Sequence, residues 1–295
     1  MKKHILFIIN PVAGVKRKDR IPRLIDKYLD HSHFDYEVIY TERRGHATQI
    51  AAEAAARGVH VVAVAGGDGS VNEAATGLIG TNTCLAIIPS GSGNGLARHL
   101  GYSINIRSTI NIINAYHVRK IDVCKVNGTM FFSLIGIGFD AFVAKVFSRE
   151  ETRGFLTYAW SAIKSVSAFD AFEYSANLAD RKIGGKAFMI NVCNSNQYGY
   201  NVKVAPHASL SDGMLDVIVL GDIPKWKIPL VVLQVFTRTH MHTKHFTIYK
   251  TPSLTIDTPQ YAHLQIDGET APKDKSFKIE IMPEALQVLM HPDND

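Results

Sequence analysis

The sequence predicts an N-terminal α/β domain with a parallel sheet, followed by a C-terminal antiparallel β-sandwich domain. Three observations predict it. Up to about residue 120, short apolar runs alternate with helical periodicity, the pattern of strands buried on both faces and linked by crossover helices. From about Ile121 the pattern changes to short segments rich in β-formers, separated by Asn-Gly, Asp-Gly and Gly-Gly turns. The length of 295 residues also exceeds what one core usually sustains.

Residues 4–9, apolar from Ile5 onward, read as a buried strand. Ile21, Leu24, Ile25, Tyr28 and Leu29 then recur on one helical face. A strand follows at 36–40, then an Ala-rich helix from about 46 to 57 that Gly58 ends, then a strand at 61–65. Ser70 and Glu73 have the spacing of a capping box, opening a helix that Gly77 and Gly80 would close. Residues 84–88 form a fourth strand, and Leu96, Ala97 and Leu100 start another helix. In the second half, strands are predicted at 129–134, 186–193, 215–220, 246–250, 253–256 and 277–281, with helices near 153–165 and 225–236.

Composition is that of a folded chain, with 46% hydrophobic and 20% charged residues. The net charge of +5 is scattered rather than massed, so no nucleic acid partner is expected. Mild basicity suits phosphorylated substrates and brief contact with an anionic membrane surface. Cys84, Cys124 and Cys193 lie far apart in apolar runs and read as reduced core residues of a cytoplasmic protein. The apolar run after Met1 is too short for a signal peptide, and no segment has the ~20 apolar residues of a membrane span.

Two small-residue loops fall at predicted carboxyl ends of strands, where open α/β sheets bind ligands. In Gly66-Gly67-Asp68-Gly69-Ser70, glycines let backbone N–H groups approach phosphate oxygens, and the following helix directs its positive end toward them. Asp68 adds a carboxylate where Mg²⁺ bridging two phosphates would sit. The plainer alternative is a tight turn with Ser70 as an ordinary cap. In the second loop, residues 89–95, Ser92 and Asn94 can hydrogen-bond a nucleotide, although a Ser-Gly cluster is also an ordinary turn. Asn10-Pro11, with Gly14, makes a third strand-end turn. Three such ends side by side would form one nucleotide cleft.

Asp267-Gly268-Glu269 places two carboxylates around a glycine after an apolar strand. A hairpin turn is the default there, and Asp267 as the base accepting a hydroxyl proton is the sharper reading. Ser211-Asp212-Gly213 offers the same choice between a turn and a hard-cation ligand. His240, His242 and His245 cluster without a carboxylate or cysteine at zinc-like spacing, so a solvated loop is expected. The apolar run 226–236 reads as a core helix, and Lys225, Trp226 and Lys227 can touch a bilayer interface.

In order, Asn10-Pro11 with Gly14, Thr41 with His46-Ala47, residues 66–70 with Asn72-Glu73, residues 89–94, Gly154 with Tyr158, Asn194, Pro206, Asp212-Gly213 and Asp267-Gly268-Glu269 match one set of landmarks. Taken together, they resemble the diacylglycerol kinase catalytic-domain superfamily, which includes bacterial lipid kinases, sphingosine kinases and ceramide kinases. The resemblance runs nearly end to end. It implies an NAD kinase-like α/β domain over 1–122, completed by about 283–295, and a β-sandwich lipid-substrate domain over 123–282.

The resemblance also implies roles. Asp68 would bind catalytic Mg²⁺, with Gly66, Gly67 and Gly69 around the phosphates of ATP. Asn10, Thr41, Ser70, Asn72, Ser92 and Asn94 would complete the nucleotide site. Asp267 would be the general base, with Glu269 beside it. Ser209, Asp212 and Met214 correspond to a structural Mg²⁺ site, Ser209 and Met214 through backbone carbonyls. Two departures bear on substrate. The second loop reads Gly91-Ser92-Gly93-Asn94-Gly95, similar to the sphingosine and ceramide kinase branch, and Ala13 replaces a small hydroxyl residue.

The expectation is an ATP- and Mg²⁺-dependent lipid kinase acting in the cleft between domains, on diacylglycerol or else a sphingoid base or ceramide. Such an enzyme would be cytoplasmic and peripheral to the inner face of the membrane. A homodimer is admitted, without a feature that argues for it. An NAD kinase-like enzyme and an inactive lipid- or nucleotide-binding regulator are the alternatives. Both key carboxylates, Asp68 and Asp267, are present, which speaks against the regulator.

Overall fold

Strand β1 (Lys3–Ile9) is flanked by two parallel neighbours, β2 (Phe34–Tyr40) on one side and β3 (Val61–Gly66) on the other. Strand β4 (Cys84–Pro89) adds to β3 in parallel. The computed structural model describes residues 2–12, 20–91, 93–148, 155–196, 202–237, 239, 243 and 245–294. The chain divides into two compact units, one of residues 1–123 with 283–295, the other of residues 124–282.

In the first unit, residues 5–9 of β1 and all of β3 and β4 are buried, because crossover helices cover both faces of a parallel sheet. Each fully buried Ile or Leu there contributes roughly 1.5–3 kcal/mol. The crossovers are α1 (Arg20–Tyr28), α2 (His46–Ala56) and α3 (Asp68–Leu78). A short α4 (Gly95–His99) and α5 (Ile106–Ala115) follow β4, and β5 (Val118–Val126) leads into the second unit. The chain returns through β13 (Glu269–Leu289), whose Val288 pairs with Leu85 of β4 in parallel.

The predicted capping box does not form. Helix α3 begins earlier, at Asp68 after Gly67, without a side-chain cap. Glu73 instead accepts the N–H groups of Gly45 (2.8 Å) and Ala47 (3.3 Å), so it caps α2. A carboxylate at that N-terminus also meets the positive end of the helix. Gly77 lies inside α3 rather than ending it, where a Cβ would collide with the Thr48 carbonyl oxygen on α2.

The second unit is built on β6 (Thr129–Phe131), β7 (Leu134–Gly138), β8 (Phe172–Leu178), β9 (Lys182–Cys193), β10 (Leu215–Gly221), β11 (Phe246–Thr251), β12 (Ser253–Ile266) and most of β13. Its described pairings are antiparallel. The long strands β9 and β12 each pair with β7 along one half and with β8 along the other. This bends the sheet into two layers around Ile135, Ile137, Ile190, Val192, Leu254, Ile256, Phe277 and Ile279. A second core, with Phe139, Phe188, Ile218, Ile228 and Val231, lies under α6 (Phe139–Phe147), α7 (Phe155–Ser165) and α8 (Ile228–Phe236).

The strand expected over 129–134 is broken at Phe132 and Ser133, between β6 and β7. Helices α5 and α6 and strands β5 and β8 are not among the elements that the sequence predicts. Cys84, Cys124 and Cys193 are all buried, and none is in a disulfide. His240 and His242 lie outside the described residues, as do Ala13, Gly14 and Gly154.

Candidate active site

The four parallel strands of the first unit end side by side, at Thr41 after β2, Asn10 after β1, Gly67 after β3 and Ser90 after β4. Specific hydrogen bonds join these ends. The Asn10 N–H donates to the Ala65 carbonyl (3.0 Å), and its Nδ2 donates to Ser70 Oγ (2.7 Å). The Thr41 N–H donates to the Ile9 carbonyl (2.9 Å), and the Ser90 N–H to the Gly66 carbonyl (2.9 Å).

Asp68 fastens the two glycine loops together. Its Oδ2 accepts the Asn94 N–H at 2.8 Å and its Oδ1 accepts the Gly95 N–H at 2.9 Å. Burial pushes the Asp68 carboxyl above its usual range, while the two N–H groups and the charge of Arg98 oppose that shift. Close backbone approach explains two of the glycines. A Cβ on Gly91 would sit 2.7 Å from Gly67 Cα, and one on Gly66 would sit 2.5 Å from Ser70 Cβ.

The pocket chemistry fits a nucleotide and its Mg²⁺. Ser90 Oγ and Asn94 Oδ1 are buried without a protein partner, and such atoms call for a ligand or water. Asn94 is held in a left-handed conformation (φ 55°), with Nδ2 donating to the Gly91 carbonyl at 2.6 Å. A single carboxylate such as Asp68 is also the protein ligand with which Mg²⁺ would be held together with phosphate oxygens, whereas backbone N–H groups suit the phosphates themselves. Gly69, Ser70 and Asn72 occupy the first turns of α3, and the Thr41 side chain is buried. Ser92 lies outside the described residues.

In the second unit, Asp267 and Gly268 form the turn between β12 and β13, with φ of 48° and 86°. Positive φ at both positions is the hairpin geometry that Asp-Gly favours. The turn does more than reverse the chain. Asp267 Oδ2 accepts the Phe132 N–H (2.8 Å), and Oδ1 accepts those of Ser133 (2.8 Å) and Leu134 (2.9 Å). Those are the N–H groups that turn out of the ladder where the predicted strand breaks. Glu269 is exposed at the start of β13.

Buried polar residues surround this turn, of which Asn194 is a sequence landmark and Asp140, Asn191 and Gln265 carry no motif. The Gly268 N–H donates to Gln265 Oε1 (2.7 Å), and Gln265 Nε2 donates to Asp140 Oδ2 (2.9 Å). Asn191 Nδ2 donates to the same oxygen (3.2 Å), and Asn194 Nδ2 to the Phe132 carbonyl (3.1 Å). Asp140, Asn191, Asn194 and Gln265 are all buried, and the available signal was a polar residue inside an otherwise apolar run. In the first unit Asp122 is likewise buried, and its Oδ1 accepts the Glu284 N–H at 2.9 Å.

The residues at the second implied Mg²⁺ site do not fit a metal as they stand. Lys250 Nζ lies 2.6 Å from Asp212 Oδ2 and 3.8 Å from Asp216 Oδ2, and the Met214 N–H donates to Asp212 Oδ1 at 3.1 Å. An ammonium therefore supplies the positive charge beside Asp212. Burial pushes the Asp216 carboxyl up and Lys250 pulls it back, while the bond to Asp212 raises Lys250. Ser209 Oγ accepts the Ser211 N–H at 3.3 Å. Among the described residues, no three His, Cys, Asp or Glu side chains gather as a metal centre.

An α/β unit whose strand-end glycine loops close on one carboxylate, followed by an antiparallel β-sandwich-like unit, is the plan of the two-domain lipid kinases. Residues 4–126 match the diacylglycerol kinase catalytic domain, and residues 133–290 match the YegS C-terminal NAD kinase beta sandwich-like domain. The chain belongs to this lipid kinase family. It is 29% identical over 248 residues to a "Probable lipid kinase YegS-like" of Shewanella frigidimarina, covering 81% of this chain and 79% of the other. It is 27% identical over 274 residues to a "Diacylglycerol kinase" of Bacillus subtilis, covering 90% of each. A crystal structure of a diacylglycerol kinase from Bacillus anthracis superposes with a TM-score of 0.79 at 23% identity, covering 99% of this chain and 98% of that one. At that identity the likeness speaks for the fold alone.

Proposed function

We propose that this chain transfers the γ-phosphate of ATP to the hydroxyl of a lipid, with diacylglycerol as the first acceptor and a sphingoid base or ceramide as the second. The observation that carries the reading is the junction of Asp68 with the Asn94 and Gly95 N–H groups, beside the unpartnered Ser90 Oγ and Asn94 Oδ1. The names of the relatives support a lipid acceptor. The loop sequence Gly91-Ser92-Gly93-Asn94 keeps the sphingoid lane in the test.

In this reading the backbone N–H groups of Gly66, Gly67 and Gly69 face the phosphates, and Asn10, Thr41, Ser70, Asn72, Ser92 and Asn94 contact the nucleotide. Mg²⁺, held by Asp68 together with the phosphates, would offset their charge. The acceptor oxygen attacks the γ-phosphorus, the bond from that phosphorus to the β–γ bridging oxygen breaks, and ADP leaves. The hydroxyl proton passes to the Asp267 carboxylate, which three backbone N–H groups hold in a fixed orientation. Glu269, next to Gly268, is the second carboxylate of the acceptor site. Such an enzyme would work in the cytoplasm, in transient contact with the inner face of a membrane.

The test is transfer of label from [γ-³²P]ATP to a panel of diacylglycerol, sphingoid base, ceramide and NAD, with Mg²⁺ present. Labelled diacylglycerol or sphingoid base is the expected result. Label on NAD alone would make the chain an NAD kinase, and label nowhere would leave a binding protein.

A further inference from the structure

Helix α8 is apolar on the side where a helix at a protein surface normally carries polar residues. Its nine residues include one polar side chain, Gln234. Ile228 and Val231 enter the second core, whereas Leu230 and Leu233 are 53% and 57% exposed. Trp226, one turn before Leu230, is 75% exposed. Helix α7 adds Trp160 and Ile163, also exposed, while its Ala162 enters the same core. Lys225 joins the two segments, with Nζ bonded to the Ser167 carbonyl (3.0 Å) and paired with Asp170 (2.8 Å). Of the nine exposed large hydrophobic side chains among the described residues, five lie on these two segments.

The charges beside this face select its partner. Lys164 Nζ sits 5.2 Å from the ring centre of Trp160, and Lys227 Nζ sits 5.3 Å from that of Trp226. Asp170 is taken by Lys225, and Asp222, four residues before Trp226, is exposed. Apolar side chains with a lysine beside each tryptophan match a bilayer interface, where rings lie among headgroups and ammonium groups meet lipid phosphates. A second copy fits less well, because a twofold pair closing on this face would bring Lys164 and Lys227 toward their own counterparts. With nine and eleven residues, α8 and α7 can lie on a bilayer, and no described helix is long and apolar enough to cross one.

We propose that Trp160, Ile163, Trp226, Leu230 and Leu233, with Lys164 and Lys227, form a docking face for an anionic lipid bilayer. This rests on the lipid-acceptor reading above and names the surface from which the acceptor would be drawn. The test is co-sedimentation with phosphatidylglycerol-containing vesicles and with pure phosphatidylcholine vesicles, without ATP, for the wild type and Leu230→Asp/Leu233→Asp. The wild type should prefer the anionic vesicles, and the double variant should bind them at least about tenfold more weakly. Its melting temperature and its turnover of a detergent-dispersed short-chain diacylglycerol should match the wild type.

Equal vesicle binding by wild type and variant would overturn the proposal. So would a wild-type dimer that the substitutions convert to monomers, since a second copy would then cover the face. Because binding is read without ATP and turnover without a bilayer, failure of the docking face and failure of the kinase reading give different results.

Discussion

The Asp68 carboxylate accepts the backbone N–H of Asn94 at 2.8 Å, so the loop after β3 and the loop after β4 form one assembly. Neither loop is specific alone, since glycine clusters at strand ends are ordinary turns. Joined, they place a carboxylate, several backbone N–H groups and two unpartnered oxygens together.

The closest backbone approach within that assembly is at Gly91. Gly91→Ala would place a Cβ 2.7 Å from Gly67 Cα, where neither backbone can yield cheaply. The expected cost is about 1–3 kcal/mol of stability, with a raised KM for ATP. Thermal melting and ATP titration check it, and unchanged values for both would show that the loops can separate.

Asp267 has a structural task and a proposed chemical one, and two substitutions separate them. Asp267→Ala leaves three backbone N–H groups without their acceptor, at a cost of roughly 1–3 kcal/mol in stability. Asp267→Asn keeps one acceptor oxygen and the turn but removes the base, so kcat should fall by about 10²–10⁴ with a smaller loss of stability. If Asp267→Asn turned over like the wild type, the residue would be an anchor of the hairpin and nothing more.

Lys250 stands between Asp212 and Asp216 and faces Asp216 directly across the β10–β11 ladder. Lys250→Met should cost about 1–3 kcal/mol by leaving these carboxylates without their cation. The wild-type melting temperature, measured without nucleotide, should be the same in EDTA and in Mg²⁺. In Lys250→Met, Mg²⁺ should raise it. A Mg²⁺-dependent rise in the wild type that Asp212→Asn abolishes would show a resident metal instead.

His263 packs edge-on against Phe142, and desolvation, then Lys273 and Lys145, push its pKa down to about 4. The unfolded chain takes up that proton near pH 6.5, whereas the folded chain holds the ring neutral until about pH 4. Stability from this group is therefore intact above pH 6.5 and falls as pH drops from 6.5 toward 4. His263→Gln should flatten that part of a melting-temperature profile. A variant with the same acid slope as the wild type would exclude His263 as its source.

The parallel half of the fold was legible because strands such as residues 61–66 are apolar throughout, and the glycine loops mark where those strands end. The second half was harder to read. Along one edge, strands β9 and β12 each serve both β7 and β8, so their length follows from tertiary pairing that local pattern does not encode. The break at Phe132 depends on Asp267, more than a hundred residues away. Glu73 misleads for a similar reason, because the helix it caps is the preceding α2 rather than its own α3. Asp140 and Gln265 escaped notice because a single polar residue in an apolar run has no motif around it.

The most direct measurement is phosphoryl transfer from [γ-³²P]ATP to diacylglycerol in mixed micelles, comparing wild type with Asp68→Asn. That substitution conserves size and removes the charge at the junction of the two loops. Labelled lipid is expected from the wild type, with a loss of at least about 10²-fold in kcat/KM for the variant. A variant as active as the wild type, or a wild type that labels no lipid alcohol, would contradict it.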